Sequence, residues 1–124
     1  MALFDPERVR AAANADTEFR QAARFWDGDV RITTGATAHI LSVRGGVVEA
    51  FGPAAPEAPS VVVISAAESE WEKFLEPVPR AFYQGLFAAT GHHGFTMTGD
   101  LEAFLPYYAA TARLFAIMRA QGAS

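Results

Sequence analysis

The chain of 124 residues has no cysteine, which excludes a disulfide framework, a Cys-based metal site and a thiol nucleophile. It is also sparing with charge. Asp, Glu, Lys and Arg make up 19% of it, and a formal net charge of −4 with a pI near 5.3 leaves no basic stripe for nucleic acid. No hydrophobic run approaches the length of a membrane span, so no stable membrane insertion is expected. Asp5, Glu7, Arg8, Arg10, Asp16, Glu18, Arg20 and Arg24 break up any signal-peptide core in residues 1–25. The expectation is a cytoplasmic protein made of one domain, residues 1–124, with a single hydrophobic core.

What the chain has in quantity is apolar bulk. Hydrophobic residues reach 51%, with ten Phe, two Trp and three Tyr. Aromatics bury large areas and line cavities well, so this excess points to a pocket or an interface.

Asp5-Pro6-Glu7 reads as a helix start, with Asp5 as cap and Pro6 in the first turn. Residues 1–15 form a helical extension, and Asp16 restarts or continues the helix with Phe19, Ala22, Ala23 and Trp26 as its stripe. Alternation around Val30, Ile32 and Thr34, then Ala38 to Val43 and Val47 to Phe51, predicts three strands. Thr34-Gly35-Ala36 and Arg44-Gly45-Gly46 supply the hairpin turns of an antiparallel meander. Pro53, Pro56 and Pro59 mark a linker.

Val61-Val62-Val63-Ile64 reads as a strand covered on both faces. Ser65 and Glu68 then form a capping box for a helix bearing Trp71, Phe74 and Leu75. A second helix is predicted from Arg80 to Thr90, ended by Gly91, and a fifth strand from His93 to Thr98. Asp100 caps a last helical region that Pro106 kinks or splits, and residues 119–124 are expected to fray. That region is apolar on almost every face and needs partners on more than one side. The order α-β-β-β-β-α-α-β-α gives an α+β domain: a five-stranded, mixed but largely antiparallel sheet with helices on one face.

Catalytic signals are weak. His92 and His93 are adjacent and point apart in extended chain, so with or without His39 they make a poor metal site. The glycines at 45–46 and at 91 and 94 lack phosphate-loop spacing, and no serine sits in a nucleophile elbow. Asp27, Asp29 and Asp100 sit at element boundaries where capping explains them; one of them buried in a cavity would be a general base. No catalytic residue, metal or cofactor is assigned.

Four stretches carry a resemblance: Phe25-Trp26-Asp27-Gly28-Asp29-Val30-Arg31, Leu41-Ser42-Val43-Arg44-Gly45-Gly46-Val47-Val48, Ser60 to Ala66 followed by Trp71 and Phe74, and Phe95-Thr96-Met97-Thr98-Gly99-Asp100-Leu101. In order and spacing they resemble the sterol carrier protein 2 (SCP2-like) lipid-binding family, in its bacterial form, over residues 16–118. The resemblance implies an apolar cavity between sheet and helices that takes fatty acyl chains, sterols or similar lipids, without chemistry. Lys73 is the single lysine, which argues against recognition of a CoA phosphate.

The expected ligand wall is Trp71, Phe74, Phe82, Tyr83, Phe87 and Phe95, continued by Met97, Leu101, Phe104 and Tyr108. Tyr83, Gln84 and Tyr108 are candidate polar handles, and Leu114, Phe115 and Met118 are candidates for an interface. The reading is a non-catalytic carrier or substrate-presenting module. Its alternative is an interaction module, a homodimer or the accessory subunit of an enzyme, and the third is a small isomerase or dehydratase with a buried acid.

Overall fold

The computed structural model describes residues 3–54 and 62–122. Pro56, Pro59 and Val61 therefore lie outside the described residues, as do Ala123 and Ser124. The elements in order are α1 (Pro6–Ala15), α2 (Thr17–Ala23), β1 (Gly28–Thr34), β2 (Thr37–Arg44), β3 (Val47–Pro53), β4 (Val62–Ala66), α3 (Glu68–Phe74), α4 (Leu86–His92), β5 (Thr96–Gly99), α5 (Leu101–Phe104), a 3-10 turn (Leu105–Tyr107) and α6 (Tyr108–Gln121).

Capping chemistry sets the first helices. The Asp5 carboxylate accepts from the backbone N–H groups of Glu7 and Arg8, and Pro6 fills the first turn of α1. Asp16 ends α1 in an extended conformation and caps α2, accepting from the Phe19 N–H at 2.7 Å. The same carboxylate receives Nε and Nη2 of Arg113 at 2.9 and 2.8 Å, which ties α2 to α6. Hydrogen bonds from Arg113, then from Phe19, hold the Asp16 carboxyl down at about 2.

The sheet order is β3-β2-β1-β4-β5. β1, β2 and β3 form the predicted antiparallel meander, β4 runs parallel to β1, and β5 is antiparallel to β4. Register places Phe51, Leu41, Val30 and Val62 in one cross-strand row, and His39, Ile32, Ile64 and Met97 in the next. Paired residues share a face, and these rows face the helices. Gly46 makes this close packing possible: at φ 79°, a Cβ there would meet Arg24 Cα at 2.8 Å and Ala23 O at 2.9 Å.

Four local expectations fail for stated reasons. β4 is fully buried on one face only: Val62, Ile64 and Ala66 are buried, whereas Val63 and Ser65 are half-buried. Ser65 cannot cap a helix because it is still paired in β4 with Thr33 and Thr96; α3 starts after Ala67 with no side-chain cap. The helix expected from Arg80 to Thr90 is replaced by irregular chain as far as Gly85, and α4 begins only at Leu86. Phe82 takes a left-handed φ of 65°, turning the chain so that Tyr83 is buried while Phe82 stays out. Gly91 lies inside α4, with His93 at its C-cap; the left-handed glycine that follows is Gly94, φ 72°.

The last strand is shorter than expected, beginning at Thr96, with Phe95 buried just ahead of it. Pro106 does split the final helical region, through the 3-10 turn. Leu114, Phe115 and Met118, expected at an interface, are 0%, 2% and 1% exposed and belong to the monomer's own core. α6 crosses that core with neighbours on several sides, which consumes its surplus apolar surface. Within the stretch expected to fray, Arg119 to Gln121 are helical and Gln121 donates to the Arg8 carbonyl.

Candidate functional site

The space between the sheet and α3, α4 and α6 holds a nest of four rings. Trp71 lies 4.9 Å from Phe95, 5.5 Å from Phe74 and 5.7 Å from Phe115, centre to centre. Phe74 contacts Phe95 at 5.1 Å and Phe115 at 5.2 Å, tilted on the first and edge to face with the second. The Trp71 indole N–H donates to the Thr33 carbonyl at 2.9 Å, fixing the largest ring to β1. Three of the expected wall residues (Trp71, Phe74 and Phe95) are therefore together, and Phe115 completes the group.

The other expected wall residues are spread around this nest. Phe104 is buried at the far end, edge-on to Trp26, which stacks on Tyr107. Met97 and Leu101 are half-buried against the core. Phe82 and Phe87 are 49% and 53% exposed, so neither lines the interior. Phe87 stacks on half-buried Tyr108 at 4.6 Å, and Phe82 stacks on His92 at 3.9 Å.

Beside the Phe87–Tyr108 stack a crevice of about 20 Å³ opens between the start of α4 and the face of α6. Phe74, Phe115, Leu86, Tyr108, Gln84 and Arg119 are among the residues that line it. That volume holds roughly one water molecule. The crevice leads directly to two rings of the nest.

The irregular segment 75–85 reaches the crevice at Gln84 and Gly85 and is fastened at a few points. The Tyr83 hydroxyl donates to Glu70 Oε2 at 2.5 Å, and the Tyr83 ring stacks on His93 at 3.6 Å. The hydrogen bond to Glu70, burial and the Glu70 charge push the Tyr83 phenol up to about 12, while Tyr83 first and then Lys73 and His93 hold Glu70 below its usual range. His93 Nε2 lies 3.2 Å from the Ala81 carbonyl, and Arg119 donates from Nε to the Phe74 carbonyl at 2.7 Å and from Nη2 to that of Tyr83 at 2.9 Å. Of the expected handles, the Tyr83 hydroxyl is engaged internally. The Tyr108 hydroxyl accepts from the Phe87 N–H at 3.3 Å, and Gln84 is exposed at the crevice.

Arg119 lines the crevice without being among the residues expected there. Its signal was the spacing Thr111, Phe115, Arg119, which puts it on the buried stripe of α6.

The three aspartates are in capping or pairing roles. Asp100 caps α5 through the Ala103 N–H, and Asp27 accepts from the Gly45 N–H at 2.7 Å. Asp27 and Asp29 border a second crevice of about 50 Å³ beside Trp26 and Phe104. Burial there pushes the Asp29 carboxyl up, but hydrogen bonds from Arg44 and Ser42 and the Arg44 charge outweigh it, and the net direction is down. A general base raised by desolvation needs the opposite. Among the described residues no group of three or more His, Asp or Glu side chains is placed to hold a metal ion, and no helix is long and apolar enough to cross a membrane.

The fold defined by this sheet order and helical cover is SCP2-like. A crystal structure of sterol carrier protein 2 superposes with a TM-score of 0.73 at 20% identity, covering 91% of this chain and 92% of the other. A solution structure of a conserved hypothetical protein from Thermus thermophilus, described as possibly a sterol carrier protein, gives 0.73 at 21% identity, covering 100% and 92%. A ubiquinone synthesis protein, UbiJ-SCP2, gives 0.61 at 14% identity, covering 91% and 86%. No family model and no curated protein matches the chain.

Proposed function

We propose that this domain is a non-catalytic carrier or substrate-presenting module that binds an apolar small molecule, a fatty acyl chain, a sterol or a similar lipid, between its sheet and its helices. The observation that carries this reading is the crevice itself. It joins the surface to the Phe74 and Phe115 rings, and one edge of it is irregular chain at Gln84 and Gly85. The SCP2-like fold supports the same placement. In the described conformation the rings fill the interior, so binding requires segment 75–85 to swing outward and the ring nest to spread around the ligand. Burial at about 25 cal/mol per Å² of apolar surface gives an acyl chain several kcal/mol of driving force. Phe87, exposed and stacked on the crevice-lining Tyr108, then has an apolar surface to meet as the ligand enters.

Native mass spectrometry of the gently desalted protein tests this. Co-purified lipid, or uptake of added lipid at one equivalent with protection of segment 75–85 from amide exchange, is the expected result. A ligand-free monomer that takes up neither acyl chains nor sterols refutes the reading.

A further inference from the structure

The crevice has a charged edge that a purely apolar ligand would not use. Arg10, Arg44, Arg80 and Arg113 each pair with a carboxylate, and Lys73 pairs with Glu70. Arg8, Arg20 and Arg24 have no ion pair among the described residues either, but all three are exposed, and Arg119 is not. It is half-buried, lines the crevice, and has no carboxylate within ion-pair distance among the described residues. Its two hydrogen bonds go to neutral carbonyls, and its guanidinium carbon sits 4.5 Å over the Phe74 ring. Those bonds use Nε and Nη2, which leaves Nη1 with no partner among the described residues. A desolvated cation is ordinarily paired, because burying it alone is costly. Consistent with this, burial pushes the Arg119 guanidinium down, whereas carboxylate partners raise Arg10, Arg44 and Arg113.

We infer that Arg119 reads the head group: the ligand is an amphiphile with a carboxylate head that pairs with the guanidinium at the crevice, while its apolar tail runs inward past Phe74 and Phe115. This rests on the carrier reading above and narrows it from lipids in general to fatty-acid-like molecules. The planar guanidinium offers directional donors to a carboxylate, which an ammonium would not. Its existing bonds to the carbonyls of Phe74 and Tyr83 hold the fork in place at the foot of segment 75–85. Head-group pairing would thus sit beside the part of the chain that must move for the tail to enter.

The test compares palmitate with the alcohol of the same chain length, each displacing a neutral fluorescent polyene from the intact protein. Because hydrogen bonds to charged groups are worth about 1.5–3 kcal/mol, the wild type should favour palmitate by roughly tenfold or more. Arg119→Gln should erase that preference by lowering the affinity for palmitate about tenfold more than that for the alcohol, while Arg119→Lys, which keeps a cation, should retain part of it. Equal wild-type affinity for the acid and the alcohol overturns the inference and leaves the carrier reading standing. An Arg119→Gln protein that loses both ligands equally also overturns it, because Arg119 would then be only a structural tie. If Arg119→Gln does not fold, Arg119→Lys decides: a full preference or a partial one supports charge recognition, and loss of both ligands together refutes it. A folded wild type that binds neither compound refutes the carrier reading and the inference with it.

Discussion

The framework of the domain and the strap beside its crevice are held by different means. In the framework, polar fastenings come in redundant pairs on top of a closed core. The Asn14 amide both donates to the Val48 carbonyl at 3.0 Å and accepts its N–H at 2.8 Å, and Asp16 takes two bonds from Arg113 besides capping α2. The strap, residues 75–85, has one buried ring, Tyr83, and single contacts from Arg119, Tyr83 and His93, with Phe82 in a left-handed conformation and Val78 83% exposed. On the proposed carrier reading, stability is concentrated away from the place where a ligand would enter. Regions that open for binding are drawn from the weakly held end of a structure.

Three substitutions break or sharpen that contrast. Phe115→Ala empties the centre of the ring nest and should cost about 3–5 kcal/mol in chemical denaturation, since a buried Phe leaves both lost transfer energy and a cavity. The result also separates core from interface: loss of stability in a monomer that stays monomeric is expected, whereas a stable protein that merely changes its oligomeric state would contradict the assignment.

Acid should weaken the framework next. The Asp16 carboxyl sits at about 2, below its ordinary 3.8, so its contribution is present above that ordinary value and is lost as pH falls through about 2. Asp16→Asn keeps a capping side chain but removes the charge. Its stability deficit relative to the wild type should be constant near neutral pH, shrink below the ordinary 3.8 and vanish once the pH is below about 2; a deficit independent of pH would mean that the Arg113 pairing contributes nothing.

Phe82→Gly should have the smallest effect and the opposite sign. A non-glycine residue in the left-handed region costs about 1–2 kcal/mol, so relief of that strain offsets the added chain entropy of glycine. Melting temperature should hold or rise slightly. A clear fall would show that the exposed Phe82 ring, stacked on His92, is a structural fastening of the strap.

Much of the framework was legible in the chain. The Asp5-Pro6 start, the restart at Asp16, the hairpin glycines and the break at Pro106 follow from backbone and capping chemistry that acts over a few residues. The antiparallel meander and the last strand followed from alternation and turn glycines, and the fourth strand from the β-branched run that ends at Ile64. The strap was not legible. Phe82, Tyr83, Leu86 and Phe87 have helical spacing, yet Tyr83 is drawn to Glu70 and His93, and its carbonyl to Arg119, from segments distant in sequence. Three such attachments outweigh local helix preference, whose range among ordinary residues is about 0.7 kcal/mol per residue.

The sequence by itself determined the class of the fold, the apolar character of its interior and the helix starts at Asp5, Asp16 and Asp100, because these depend on neighbours within a turn or a hairpin. Tertiary structure alone decided which rings meet in the nest, that α6 spends its surplus apolar surface inside the monomer, and that Arg119 lies desolvated at a crevice without a carboxylate among the described residues. Those outcomes depend on which distant residues arrive at the same place, and spacing along one chain does not encode that distance.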